Sequence, residues 1–74
     1  MEHVTMLARV LQVRRDHLLV RDRDTDQTVR VNTPQARNFR PGNRVRIEYN
    51  GAMTMSIPPQ ISAIWISMDC RCNS

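Results

Sequence analysis

The feature that most constrains the fold is an alternation of apolar and polar side chains with a period of two. It is cleanest in residues 44–50, where Val45, Ile47 and Tyr49 alternate with charged or polar residues. A two-residue period places every second side chain on the same face of a β-strand. The chain has 74 residues, a length that supports one domain with one core. We therefore expect a single all-β domain over residues 1–74.

Four further segments extend this pattern. Residues 4–13 are rich in apolar side chains that switch face partway, which predicts a long strand with a bulge or sharp bend. Residues 18–22 and 28–33 alternate on either side of a polar turn. Residues 60–68 form the last apolar segment and contain a second change of face. The sequence therefore predicts five strands.

The segment between the third and fourth strands does not alternate. It covers residues 33–39 and opens with Thr33 and Pro34, which fit a helix N-cap followed by proline at the first helical position. We expect a single helical turn there, with Phe39 closing one end of the core. The next turn is expected at Pro41 and Gly42.

Five strands, the first long and bent, with a short helical turn between strands three and four, match the plan of an antiparallel oligonucleotide/oligosaccharide-binding (OB) barrel. The chain resembles a family of short bacterial OB-like β-barrel domains of unknown function. The resemblance covers about residues 4–68 and is carried by ARV at 8–10, LLV at 18–20, FRPGNRV at 39–45 and residues 50–63, which end in SIPPQISA. It implies an OB-like barrel and assigns no catalytic residue.

All eleven cationic residues are arginine, and the net charge is +4 with a pI near 10.5. A guanidinium group presents a planar fork that suits phosphate and carboxylate. The excess of arginine over acidic residues is therefore compatible with a phosphate-binding surface. The alternative is a compositional bias in which arginine only keeps the protein in solution. The positions expected to point outward from strands, and hence to contact nucleic acid, are Arg9, Arg21, Arg30, Arg44 and Arg46.

Base stacking receives little support from the sequence. The aromatic residues are Phe39, Tyr49 and Trp65, and the first two have positions typical of the core. If the chain binds nucleic acid, we therefore expect it to bind a single strand weakly and largely independently of base sequence. We keep it as the alternative hypothesis.

The leading hypothesis is a non-catalytic module that contacts another protein. Residues 53–60 form a loop with two methionines beside a Pro-Pro corner, and flexible methionine side chains suit adaptable protein contacts. The alternative is that these methionines only cap the end of a barrel core. The expected partner-binding residues are Met53, Thr54, Met55, Ser56 and Trp65. The partner is unknown, and a monomer is the default state.

Catalytic and metal-binding patterns are incomplete. Asp22, Asp24 and Asp26 resemble the opening of a calcium loop, but Gln27 and Thr33 stand where such a loop needs glycine and glutamate. Neither histidine has a placed partner that would make a nucleophile and base pair. The sequence therefore predicts no enzyme, no cofactor and no metal site.

The sequence also gives expectations for location and for the tail. No apolar run reaches the ~18–20 residues of a membrane span, and the first residues do not form an export signal, so we expect a cytoplasmic protein. Cys70 and Cys72 lie in residues 69–74, expected to form a frayed tail with two free thiols.

Replacing Cys70 and Cys72 by serine should leave the free energy of unfolding within about 0.5 kcal/mol, as at surface sites generally. Chemical denaturation and metal analysis of the purified protein test this. Stoichiometric zinc that is lost in the double variant together with stability would contradict it.

Overall fold

A computed structural model describes residues 3–69, so the predictions made for Cys70 and Cys72 fall outside the described residues. The structure is all-β, as the alternation predicts. Its five strands and one 3-10 helix are β1 (Val4–Val13), β2 (His17–Asp22), β3 (Thr28–Asn32), the helix Ala36–Asn38, β4 (Arg44–Tyr49) and β5 (Gln60–Met68).

The strands form one closed sheet in the order β1-β2-β3-β5-β4, and β4 returns to pair with β1. The expectation of an antiparallel sheet is wrong in one place, because β3 and β5 run parallel while the other four pairings are antiparallel. A parallel pair needs a crossover connection of a dozen or more residues. Here β4 and its flanking loops supply that connection, so the sheet is mixed.

The predicted irregularity in β1 is confirmed as a register shift. Val10 lies opposite Val20, whereas Gln12 lies opposite Leu19, so Leu11 is the extra residue. Leu11 is accordingly exposed on the outside of the sheet. The shift bends β1, which allows its first part to pair with β4 and its last part with β2 alone.

The predicted change of face in β5 is also confirmed. Ala63 lies opposite Tyr49 and Trp65 lies opposite Glu48, which leaves Ile64 between them without a partner on β4. Ile64 is half exposed as a result. Because of this extra residue, Ile61 and Ala63 face inward at odd-numbered positions, whereas Ile66 faces inward at an even-numbered one.

The inward faces of all five strands meet in one core. Val29, Val45 and Ile47 are fully buried, in agreement with the alternation. The buried apolar residues are Met6, Ala8, Val10, Leu18, Val20, Val29, Val31, Ala36, Phe39, Val45, Ile47, Tyr49, Ile61 and Ile66. Most of these side chains are small or medium in size, and together they fill the space that the closed sheet encloses.

The helical turn begins later than the sequence predicts. Gln35, not Thr33, occupies the N-cap position, and no side chain caps the helix. Thr33 is buried, and its Oγ1 accepts a hydrogen bond from the backbone N–H of Gln35 at 3.1 Å, so it shapes the preceding turn instead. Within residues 3–69, no helix has the length and apolar character needed to cross a membrane.

Gly42 provides the expected turn before β4. Its φ of +94° lies in the left-handed region, where side chains other than glycine are strained. The turn closes when the Asn43 N–H donates to the Arg40 carbonyl at 3.0 Å, and the Gly42 N–H donates to the Val10 carbonyl at 2.8 Å. This second bond fixes the start of β4 against β1.

Ile47→Ala should lower the free energy of unfolding by about 2–5 kcal/mol, because it removes a fully buried side chain and leaves a cavity. Such a loss is comparable with the whole stability of a small domain. Ile64→Ala is the matched control, since Ile64 is 51% exposed, and its cost should stay below about 1 kcal/mol. Equal effects of the two substitutions in denaturant titrations would mean that β4 faces the other way.

Candidate binding surfaces

The loop between β4 and β5 is held in one shape by its own polar groups. The Thr54 N–H donates to the Gln60 carbonyl, and the Gln60 N–H donates to Thr54 Oγ1, both at 3.0 Å. Ser56 Oγ lies 2.7 Å from Thr54 Oγ1 and donates to the Pro58 carbonyl at 2.9 Å. The hydroxyl groups of this loop are therefore engaged within the loop itself.

Two large apolar side chains of the same loop point into solvent. Met55 is 97% exposed and Ile57 is 99% exposed. Met53, in contrast, is partly buried and packs against the core. Two large apolar groups of this loop thus stand in solvent instead of packing against the core, beside exposed hydroxyl groups that bond to one another and to the loop backbone.

A groove of about 550 Å³ runs along this loop, and we call it the apolar groove. The structure brings four of the five predicted partner-binding residues to it. Trp65 is the exception: it lies on the outer face of β5 opposite Glu48 and is 55% exposed. The residues that line the groove are Gln27, Thr28, Met53, Thr54, Met55, Ser56, Ile57, Pro58 and Pro59.

A second surface lies on the outer face of β2, β1 and β4. Arg9 at the middle of β1 lies directly opposite Arg21 on β2 and directly opposite Arg44 on β4. The three arginines therefore form a row across three neighbouring strands. Side chains in directly opposed positions have Cβ atoms about 5 Å apart.

A parallel row lies two residues further along the strands. Leu7 on β1 is opposite Arg46 on β4, and its carbonyl accepts a hydrogen bond from the Arg23 N–H at 2.9 Å. Leu7 is partly buried, whereas both of these arginines are exposed. We call the surface formed by the two rows the arginine face; its cationic residues are Arg9, Arg21, Arg23, Arg44 and Arg46.

Two carboxylates border the arginine face. Arg21 Nη1 lies 3.5 Å from Asp26 Oδ1, and both side chains are well exposed to solvent. Arg23 Nη1 lies 3.6 Å from Asp69 Oδ2, an oxygen that is buried and accepts no hydrogen bond from any residue in the range 3–69. A buried carboxylate needs a nearby cation, so Arg23 neutralises Asp69.

Of the predicted arginines, Arg30 lies outside this face. It is on β3 opposite Leu19, and its Nε donates to Asn32 Oδ1 at 3.0 Å. Arg23 belongs to the arginine face and Ile57 to the apolar groove, but neither was named among the predicted site residues, although Ile57 lies within the predicted contact loop 53–60. The two-residue period that placed Arg21 outward could have found Arg23, whereas nothing in the sequence indicates how far Ile57 projects.

The β1–β2 turn contains a third polar arrangement. His17 Nδ1 lies 2.8 Å from Asp16 Oδ1, and this side-chain hydrogen bond lowers the pKa of the Asp16 carboxyl below its ordinary value. The Asp16 carbonyl also accepts a bond from the Thr33 N–H at 3.0 Å, which ties the turn to the end of β3. The arrangement therefore stabilises the turn. Among residues 3–69, no three His, Cys, Asp or Glu side chains are grouped closely enough to hold a metal ion.

Comparisons of the chain with models of known protein families, with curated proteins and with solved structures found no match.

Proposed function

We propose that the chain is an OB-type barrel that acts as a non-catalytic protein-binding module, monomeric before it meets its partner. The strand order β1-β2-β3-β5-β4, the return of β4 to β1 and the parallel pairing of β3 with β5 support the barrel assignment. A short helix between β3 and β4 also fits the OB plan. The contact surface in this proposal is the apolar groove.

The observation that carries the proposal is the exposure of two large apolar side chains, Met55 and Ile57, on a β4–β5 loop that is braced by hydrogen bonds. A flexible loop can turn its apolar side chains toward the protein surface, but this loop is braced by the bonds of Thr54, Ser56 and Gln60. Met55 and Ile57 are thereby kept in water, where each forfeits about 1.5–3 kcal/mol of possible burial. A partner that covers them recovers that free energy.

The bracing also reduces the cost of binding. An interface side chain or loop that must become ordered on association costs about 0.5–1.5 kcal/mol for each side chain with many rotamers. The loop backbone is already fixed, so only the side chains of Met55 and Ile57 have freedom to lose. Methionine can adjust its three rotatable bonds to the shape of the partner.

The residues that line the groove favour one class of partner. Its apolar members are methionine, isoleucine and proline side chains, while Gln27, Thr28 and Thr54 lie among them. This combination fits a segment of another protein that presents one or two apolar side chains within a polar surround, the usual anatomy of a small protein interface.

The test is a binding experiment with Met55→Ser combined with Ile57→Ser. Both side chains are almost fully exposed, so the melting temperature should not change. Wild-type protein on a matrix is used to capture proteins from a lysate of the native host, and each captured protein is purified for calorimetric titration. Loss of two central apolar contacts should weaken the Kd by at least about 30-fold, equivalent to about 2 kcal/mol.

Ile64→Ser is the matched control, because Ile64 is also an exposed isoleucine but lies on β5 outside the groove. Its Kd should remain within about threefold of the wild-type value. The proposal fails when the wild type retains nothing beyond the bare matrix. It also fails when the double variant binds every captured protein as tightly as the wild type does.

A further inference from the structure

We propose that the arginine face binds the phosphate backbone of a single-stranded nucleic acid, without reading its sequence. This site shares no residue with the apolar groove and does not depend on the proposed protein contact. Its outline follows from the strand register and from the hydrogen bond between the Arg23 N–H and the Leu7 carbonyl. Arg9, Arg21, Arg23 and Arg44 also line a shallow concavity of about 250 Å³ together with Asp26.

The spacing of the guanidinium groups suits a row of phosphates. Neighbouring strands lie about 4.8 Å apart, so the row Arg21-Arg9-Arg44 spans about 10 Å across the sheet. The second row, with Arg23 and Arg46, lies two residues further along, or about 7 Å away. This area can meet about three successive phosphates of a strand that bends to follow it.

The charge of the face is not balanced by the carboxylates of residues 3–69. Arg21 and Arg23 have carboxylate partners, but Arg9, Arg44 and Arg46 have none within 4.0 Å among residues 3–69. Glu48, the next outward residue on β4, lies 3.7 Å from His3 instead. Like charges in directly opposed positions of a sheet are destabilising. An anion placed between them removes that repulsion and gains charge-assisted hydrogen bonds.

Phosphate fits these residues better than a lone carboxylate does. Each guanidinium can donate two parallel hydrogen bonds to the oxygens of one phosphate, and the planar fork is already formed. Three arginines in line therefore favour a ligand with regularly repeated phosphates. A single small anion would pair with one of the three arginines and leave the repulsion between the other two in place.

The apolar centre of the face favours a single strand over a duplex. Leu7 lies between the arginines of the second row and is partly exposed, so a sugar or an unstacked base can rest on it. Among residues 3–69 the two rows contain no aromatic ring that would stack a base or select one, and the exposed ring of Trp65 lies on the next strand, opposite Glu48 and outside the rows. Binding should consequently come from phosphates and should be weak, with a Kd on the order of 10⁻⁴–10⁻⁶ M at physiological salt.

The experiment is a fluorescence anisotropy titration of the full chain against a labelled mixed-sequence oligonucleotide of about 15 nucleotides. Salt is varied between about 50 and 200 mM. If about three phosphates are neutralised, a plot of the logarithm of the binding constant against the logarithm of the salt concentration should have a slope of about −2. This corresponds to a loss of affinity of about 15-fold over that range. Two oligonucleotides of unrelated composition should give the same affinity within about threefold.

Arg9→Gln combined with Arg44→Gln is the test variant, because both residues are exposed and unpaired within the described range. It should bind about tenfold more weakly at the lowest salt, with a slope near −0.7. Arg15→Gln combined with Arg37→Gln removes the same net charge from exposed positions outside the face. This matched control should lose less than about threefold.

Further arms separate the sources of the anion. Unlabelled single strand should displace the probe, whereas inorganic phosphate, poly-glutamate and duplex of equal length should displace it poorly. Several results would overturn the proposal: no binding at about 50 mM salt, equal losses in the test and control variants, or displacement by poly-glutamate or duplex as efficient as by single strand. Melting curves check folding, and the test variant should melt at or above the wild-type temperature because a like-charge contact is relieved.

Discussion

The parallel pairing of β3 with β5 is the interaction on which the rest of the structure depends. Only three residue pairs join these strands, from Arg30 opposite Gln60 to Asn32 opposite Ser62, and the Arg30 N–H extends the ladder by donating to the Pro59 carbonyl at 2.9 Å. Without this contact the sheet would be an open ribbon with two unpaired edges. Closure also brings the residues just before β5 next to the first residues of β3. The apolar groove is the direct result, since it is formed by the β4–β5 loop together with Gln27 and Thr28.

Closure also determines what the outside of the sheet can carry. The small enclosed volume is filled by side chains such as Leu18, Val31 and Ile47, all fully buried, so binding groups must lie on outward positions or loops. The same alternation that sends valines inward sends arginines outward on three adjacent strands. Because β1 pairs with both β2 and β4, its single outward Arg9 becomes the middle of a row. A core made from alternating strands and a cationic outer face are thus two results of one pattern.

Whether a feature could be predicted from the sequence depends on whether a local pattern of residues or a contact between distant segments determines it. Strand positions and the burial of Ile47 depend on local alternation and turn residues, which the sequence contains. The parallel β3–β5 pair was missed because strand order is a long-range property that alternation does not encode. The alignment of Arg9 with Arg21 depends on the bulge at Leu11, since one residue of slip would place other side chains opposite each other. The projection of Ile57 depends on the hydrogen bonds of its loop, which composition does not reveal.

The β2–β3 turn connects the two proposed surfaces. Asp26 adopts a left-handed φ of 61°, which aspartate tolerates better than most residues, and its N–H donates to the Asp22 carbonyl at 2.8 Å. Its carboxylate borders the arginine face through Arg21, while the next residue, Gln27, lines the apolar groove. The Asp22 N–H also donates to the Gln27 carbonyl at 2.8 Å, so two backbone bonds to Asp22 shape the turn. Because these bonds fix adjacent residues, one turn positions both Asp26 at the border of the arginine face and Gln27 in the wall of the apolar groove.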